Sequence, residues 1–370
     1  MAGPDARESK IAPRELGGKH ALPESNLTRL PNVLPKACGP LSEGVIRALT
    51  ADPSDPPRSV PVHDDLGHPV DPLVDRDFQL ALWMLYELHY RGFPGVPADL
   101  EWDPLLIAAR QPMERAFEAA VRDLVGPIDW PAGGEQPKQP GVAVADRIFE
   151  ATGSGALPEL ASFLQRRADV DHYRTYLARR AVYQLRESDP QSFVLPRLEG
   201  APKAALAELQ YDEYGGGQPS RLHATLFADA LESLGMTTDV IPYVDQAPAA
   251  TLAAVNVMSL FALNRRLRGA ALGHLAAYEA TSSVPCRMVA LGARRLGLPD
   301  PVAAYFEEHV EADSVHEQVA VRDICGAFVD DNPAEAADVL FGVAASLAVD
   351  ALAAEAILSP WRDMPEDVAQ

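Results

Sequence analysis

Cysteine is scarce in this 370-residue chain: Cys38, Cys286 and Cys325 are far apart, and no two form a C-x-x-C pair. An odd, scattered set offers neither a disulfide framework nor a thiolate zinc site, and a reducing cytoplasm is the expected setting. Basic residues are also few, with 32 Lys and Arg against 53 Asp and Glu, for a formal net charge of −21. Nucleic acid and anionic membrane both call for a basic excess, so neither is expected as a partner. No run of 18 or more apolar residues occurs, and the polar segment Met1 to Lys19 has no apolar stretch of the signal-peptide kind; no membrane span and no leader are expected. The G-x-S-x-G elbow, the G-x-x-x-x-G-K-[ST] loop and a strand-linked G-x-G-x-x-G are all missing. Gly215-Gly216-Gly217 follows no strand and precedes no Lys-Ser/Thr, so it is not a phosphate loop. No window alternates with the period of a strand, and no solenoid repeat is visible.

Proline and helically spaced apolar residues are what the chain does have. Twelve of its 33 prolines fall in residues 1–73, where no period is sustained. This segment reads as a Pro-rich arm, extended or partly disordered, whose last part from Val60 to Val74 packs on the body. Residues 74–370 read as one all-α domain. Phe78, Leu80, Ala81, Leu82, Met84, Leu85 and Leu88 form a strongly apolar helix that stops at Arg91-Gly92. Trp102 to Val125 is a second helix, and Val142 to Thr152, Leu157 to Arg167 and Val170 to Arg186 follow. Further helices are expected over Ala204 to Tyr214, Pro219 to Gly235 with the proline in the first turn, Pro248 to Arg268, Ala270 to Thr281 and Val284 to Leu296. Pro301 to Asn332, bent after its middle, and a last long helix from Pro333 to Leu358 complete a bundle of roughly seven to ten helices.

One stretch concentrates ligand chemistry: His309, Asp313 and His316, spaced four and then three apart. On an α-helix the positions i, i+4 and i+7 share a face, so two imidazoles and a carboxylate point the same way. Imidazole with carboxylate suits non-haem iron. Bundles build such sites from inward side chains of facing helices. Two other segments place carboxylates and imidazoles among apolar residues: Gln210 to His223, and Gly273 to Ser283.

Together these segments resemble a known family, the iron-containing redox enzymes with a haem-oxygenase-like helical fold that hold non-haem iron. The resemblance runs from about Asp75 to Trp361. It is carried by Glu87-Leu88-His89-Tyr90-Arg91-Gly92-Phe93, by Asp212-Glu213-Tyr214-Gly215-Gly216-Gly217 with His223-x-x-Leu226-Phe227, by Glu279-x-Thr281-Ser282-Ser283, and by Glu308-His309-Val310-Glu311-Ala312-Asp313-x-x-His316-Glu317. It implies a haem-oxygenase-like bundle with a metal set of Glu213, His223, Glu279, His309, Asp313 and His316. It also implies two Fe(II)/Fe(III) ions, O2 as co-substrate and an external electron donor. The outcome it implies is oxidation of a small molecule: N-oxygenation of an amino-acid-like amine in specialised metabolism, or oxidative decarboxylation, desaturation or C–C cleavage of a small acid. A non-catalytic iron-binding or scaffold protein is the reading from another class. A reductase or chemical reductant, and a second copy of the chain in a homodimer, are the further partners expected.

The first carboxylate of the set has competitors in Glu208 and Asp212. Glu213 and His223 are ten residues apart, which on an ideal helix falls about 80° short of three turns. A redirection of the chain at the three glycines is needed if both are to face one site. His274, five residues before Glu279, is expected in helix packing. Arg265, Arg266 and Arg268 are expected to pair with carboxylates, with a clamp on a substrate carboxylate as the sharper option.

Overall fold

Apolar residues at helical spacing dominate the body, and helices are what they form. The structure, a computed structural model, describes residues 34–52, 54, 59–131, 137–153 and 158–362, without the side chains of 311–314. The helices are α1 Pro40–Leu49, α2 Arg76–Glu87, α3 Pro104–Val125, α4 Pro140–Gly153, α5 Glu159–Arg166, α6 Val170–Gln184 and the single turn α7 Asp189–Ser192. They continue as α8 Gly200–Glu213, α9 His223–Ser233, α10 Ile241–Gln246, α11 Ala249–Leu263, α12 Arg268–Arg295, α13 Asp300–Gln318, α14 Ala327–Asp331 and α15 Ala336–Arg362. Among the described residues there is no strand, so the all-α expectation holds.

The Pro-rich segment differs from its expectation. Residues 1–33 lie outside the described residues, but Pro40–Leu49 is a packed helix rather than an extended arm. Leu41, Val45, Ala48 and Leu49 recur at helical spacing and are all buried. Pro40 occupies the first turn, where its missing N–H costs nothing. The Asp77 carboxylate from α2 accepts the backbone N–H groups of Leu41 (2.8 Å) and Ser42 (2.9 Å), capping α1 from outside. Proline content concealed a short amphipathic helix whose cap comes from another element.

The centre of the bundle is α12, which packs against α13 on one side and α15 on the other. The α12–α15 crossing is set by glycine. A Cβ added at Gly273 would overlap the Val339 carbonyl, and one at Gly342 would overlap the Ala270 carbonyl. Each helix therefore presents bare backbone to the other. The helix α12 runs unbroken through Pro285, where two helices parted after Thr281 were expected. Packing on both flanks outweighs the hydrogen bond lost at the proline. The stretch Pro333–Arg362, containing α15, is long and apolar enough to cross a membrane by composition alone. In the bundle its Val339, Phe341, Val343, Ala345 and Val349 are buried, and α15 packs on α11, α12 and α3. Beyond α13 the chain continues as a π-helical stretch, Val319–Gly326, before α14, where a bend was expected.

Candidate metal centre

Five elements meet at one buried polar spot inside this apolar bundle. The α6–α7 turn supplies Glu187, the ends of α8 and α9 supply Glu213 and His223, α12 supplies Glu279, and α13 supplies His309 and His316. All six side chains are buried. They fall into two three-donor groups, Glu187 with His223 and His309, and Glu213 with Glu279 and His316. Within each group one ligand atom per residue lies within 4.8 Å of the others.

The glycine run accounts for how Glu213 and His223 come together. Glu213 is the last residue of α8 and His223 the first of α9. Between them Gly215, Gly216 and Gly217 all have positive φ (69°, 61° and 79°), a run of conformations that side chains other than glycine resist. Gly215 also lies where a Cβ would stand 2.5 Å from the Arg221 carbonyl carbon. The reversal leaves His223 Nδ1 3.1 Å from Glu213 Oε2.

Each donor is held from behind. His309 Nδ1 donates to the Tyr305 carbonyl (2.8 Å), which turns Nε2 toward Glu187 Oε1 at 3.3 Å. Glu187 accepts from Tyr305 Oη at 2.8 Å and from Gln184 Nε2 at 3.1 Å. His316 Nδ1 stands 3.5 Å from both Glu213 Oε1 and Glu279 Oε2, while its Nε2 is 3.5 Å from Asp212 Oδ2. Glu213 thus turns one oxygen toward each group: Oε2 to His223 and Oε1 to His316. The rings of His223 and His309 stand 4.6 Å apart, centroid to centroid.

The electrostatics favour positive charge here. Burial by itself would raise the Glu213 carboxyl, but the hydrogen bond and charge of His223, with His309 behind it, hold it well below the usual carboxylate range. Burial works against a charged His223, yet Glu213 raises it above the ordinary imidazole value. Three carboxylates and three imidazoles in an apolar interior carry a large desolvation cost unless cations share the space. Mixed oxygen and nitrogen donors in two adjacent groups are a chemistry that iron fits.

The placement of the expected residues is therefore specific. Glu213, His223, Glu279, His309 and His316 are brought together, and Asp313 lies on α13 between the two histidines with its side chain outside the described residues. Glu208 is exposed and outside both groups, and Asp212 touches only the outer nitrogen of His316. His274 joins neither group; it is buried against Phe261 and Tyr278. Arg266 pairs with Glu118 and Arg268 with Glu335, so both take the ion-pair role expected of them.

Glu187 was not anticipated. It lies just past the end of α6, two residues before Asp189-Pro190, and belongs to no spaced pattern. The signal that could have marked it is a short polar insertion, Arg186-Glu187-Ser188, in an apolar stripe that ends just before a helix-breaking pair. Its neighbour Ser188 has φ 67°, the one non-glycine with positive φ among the described residues.

No curated protein matches the chain. Residues 174–351 match the family model described as iron-containing redox enzyme, a span that holds every donor of both groups. This segment, just under half of the chain, lies in an all-α bundle of the haem-oxygenase-like kind and is what the chain shares with the iron-containing redox enzymes.

Proposed function

We propose that this protein is a non-haem diiron oxidoreductase that uses O2 to oxidise a small molecule. The observation that carries the reading is the pair of adjacent buried donor groups with Glu213 turned toward both. Glu187, His223 and His309 would hold one ion, and Glu213, Glu279 and His316 the other, with Asp313 as a further ligand from α13. Iron bound there would supply redox chemistry with O2, using electrons from an external donor such as a reductase or a chemical reductant.

The protein's own residues prepare the site. Tyr305 and Gln184 hold both oxygens of Glu187, so its carboxylate is aimed before any ion arrives. The Tyr305 carbonyl fixes the tautomer of His309. Burial of all six donors keeps bulk water from the centre. Within this chemistry we favour N-oxygenation of an amino-acid-like amine in specialised metabolism. The support is the long, glycine-broken interval between Glu213 and His223, which resembles the spacing of nitrogen-oxygenating members. A cytoplasmic setting, a small-molecule substrate and a homodimeric assembly belong to the same proposal.

The test is O2 consumption by anaerobically Fe(II)-loaded protein, screened against amino acids, other amines and fatty acids, with products read by mass spectrometry. Substrate-dependent O2 uptake with oxygen added to an amine nitrogen is the expected result. Uptake coupled to release of CO2 or to an alkene product would replace N-oxygenation by decarboxylation or desaturation. Iron binding with no O2 uptake on any substrate would leave a non-catalytic iron-binding protein.

A further inference from the structure

Ser188 stands between the two donor groups. Its backbone has φ 67°, a left-handed conformation in which serine has no special ease. The surroundings fix it there on every side. Its N–H donates to Tyr183 Oη at 3.2 Å, and its carbonyl accepts from Gln210 Nε2 at 2.8 Å and from Tyr214 Oη at 3.4 Å. Its hydroxyl donates to Glu213 Oε2 at 2.7 Å. The residue is buried, so no water competes for these bonds.

The left-handed turn and the hydroxyl have different consequences. The turn lets the chain leave α6 so that Glu187, one residue earlier, faces His223 and His309. The hydroxyl acts on the other group. Because Ser188 Oγ and His223 Nδ1 both engage Oε2 of Glu213, the second oxygen, Oε1, is left to face His316. Without the hydroxyl, nothing on the α6–α7 side fixes the rotation of that carboxylate. A strained backbone inside a ligand cluster persists where the surrounding structure over-determines it, as here.

We propose that Ser188 is a positioning residue for the metal centre, whose hydroxyl orients the Glu213 carboxylate and so couples the second donor group to the first. This assignment rests on the dinuclear reading given above. Partners of this kind behind a ligand typically set metal affinity by tenfold to a hundredfold.

The experiment uses Ser188→Ala and Ser188→Gly, with the parent alongside. Both variants remove the hydroxyl, but glycine accepts the left-handed backbone and alanine resists it. Anaerobic Fe(II) titration followed by calorimetry gives stoichiometry and affinity, and thermal unfolding of the iron-free proteins gives stability. We expect both variants to lose about tenfold or more in affinity for one of two ions. Iron-free Ser188→Gly should also melt above iron-free Ser188→Ala, which shows that a folded protein, and not a collapsed one, has lost the affinity. A parent that binds two ions beside a Ser188→Gly variant that binds both equally well overturns the positioning role and leaves the dinuclear reading intact. A parent that takes up one ion or none overturns the dinuclear reading and this assignment with it.

Discussion

Glu213 Oε2 and His223 Nδ1 stand 3.1 Å apart although they are ten positions apart in the chain and no α-helix joins them. The contact depends on the three left-handed glycines between α8 and α9. Gly215→Ala should therefore strain a backbone at φ 69° and push a methyl against Arg221. The expected cost is about 1–3 kcal/mol in stability, with weaker iron binding, because the two donors part. Denaturant unfolding and iron content of the purified variant check both effects; a variant with parental values for each would show the glycine turn to be incidental.

Glu187 gives a second prediction. Its carboxylate is fixed by Tyr305 and Gln184 and faces His309. Glu187→Gln keeps the size and most of the hydrogen bonding but removes the charge, so it should bind one ion normally and the other at least about tenfold more weakly. Parental stoichiometry in this variant would remove Glu187 from the donor set.

The α12–α15 crossing offers a test of the frame without touching the site. Gly273→Ala places a methyl on the Val339 carbonyl of the facing helix. Overpacking of this kind costs about 1–3 kcal/mol, and the thermal midpoint should fall by several degrees. An unchanged midpoint would mean that the two helices do not approach as closely as described.

His274 predicts a pH dependence. Burial lowers its pKa from an ordinary 6.5 to about 4. The unfolded chain then binds a proton that the folded chain refuses between those values, so stability falls as pH drops through the window and is fully present above it. The contribution is on the order of 3 kcal/mol. Unfolding of the iron-free protein by denaturant, followed from about pH 7 to about pH 4.5, should show a steeper loss in the parent than in His274→Phe. Equal slopes would mean that His274 titrates normally in the fold.

Much of this molecule was readable because helical spacing of apolar residues is a local signal. The histidines of α13 were legible because they share a helix face at intervals of four and three; the carboxylate of α12 stood out as a charge among apolar residues, and its place in the set came from the family resemblance. Glu187 was not, because a single glutamate at a helix end has no period, and its partners Tyr305 and His309 are more than a hundred residues away. The left-handed state of Ser188 was equally hidden, since serine does not announce positive φ as glycine does. The helix Pro40–Leu49 was obscured by proline content, and the continuity of α12 through Pro285 by a rule that tertiary packing overrode. In each case the deciding term was a contact distant in sequence.

If the two adjacent donor groups hold two iron ions, anaerobic Fe(II) titration of the iron-free protein will count them. Uptake of about two ions per chain is expected, falling in both His309→Ala and Glu279→Ala, one variant from each group. Uptake of one ion or none by the parent, or parental uptake by both variants, would contradict the two-ion assignment.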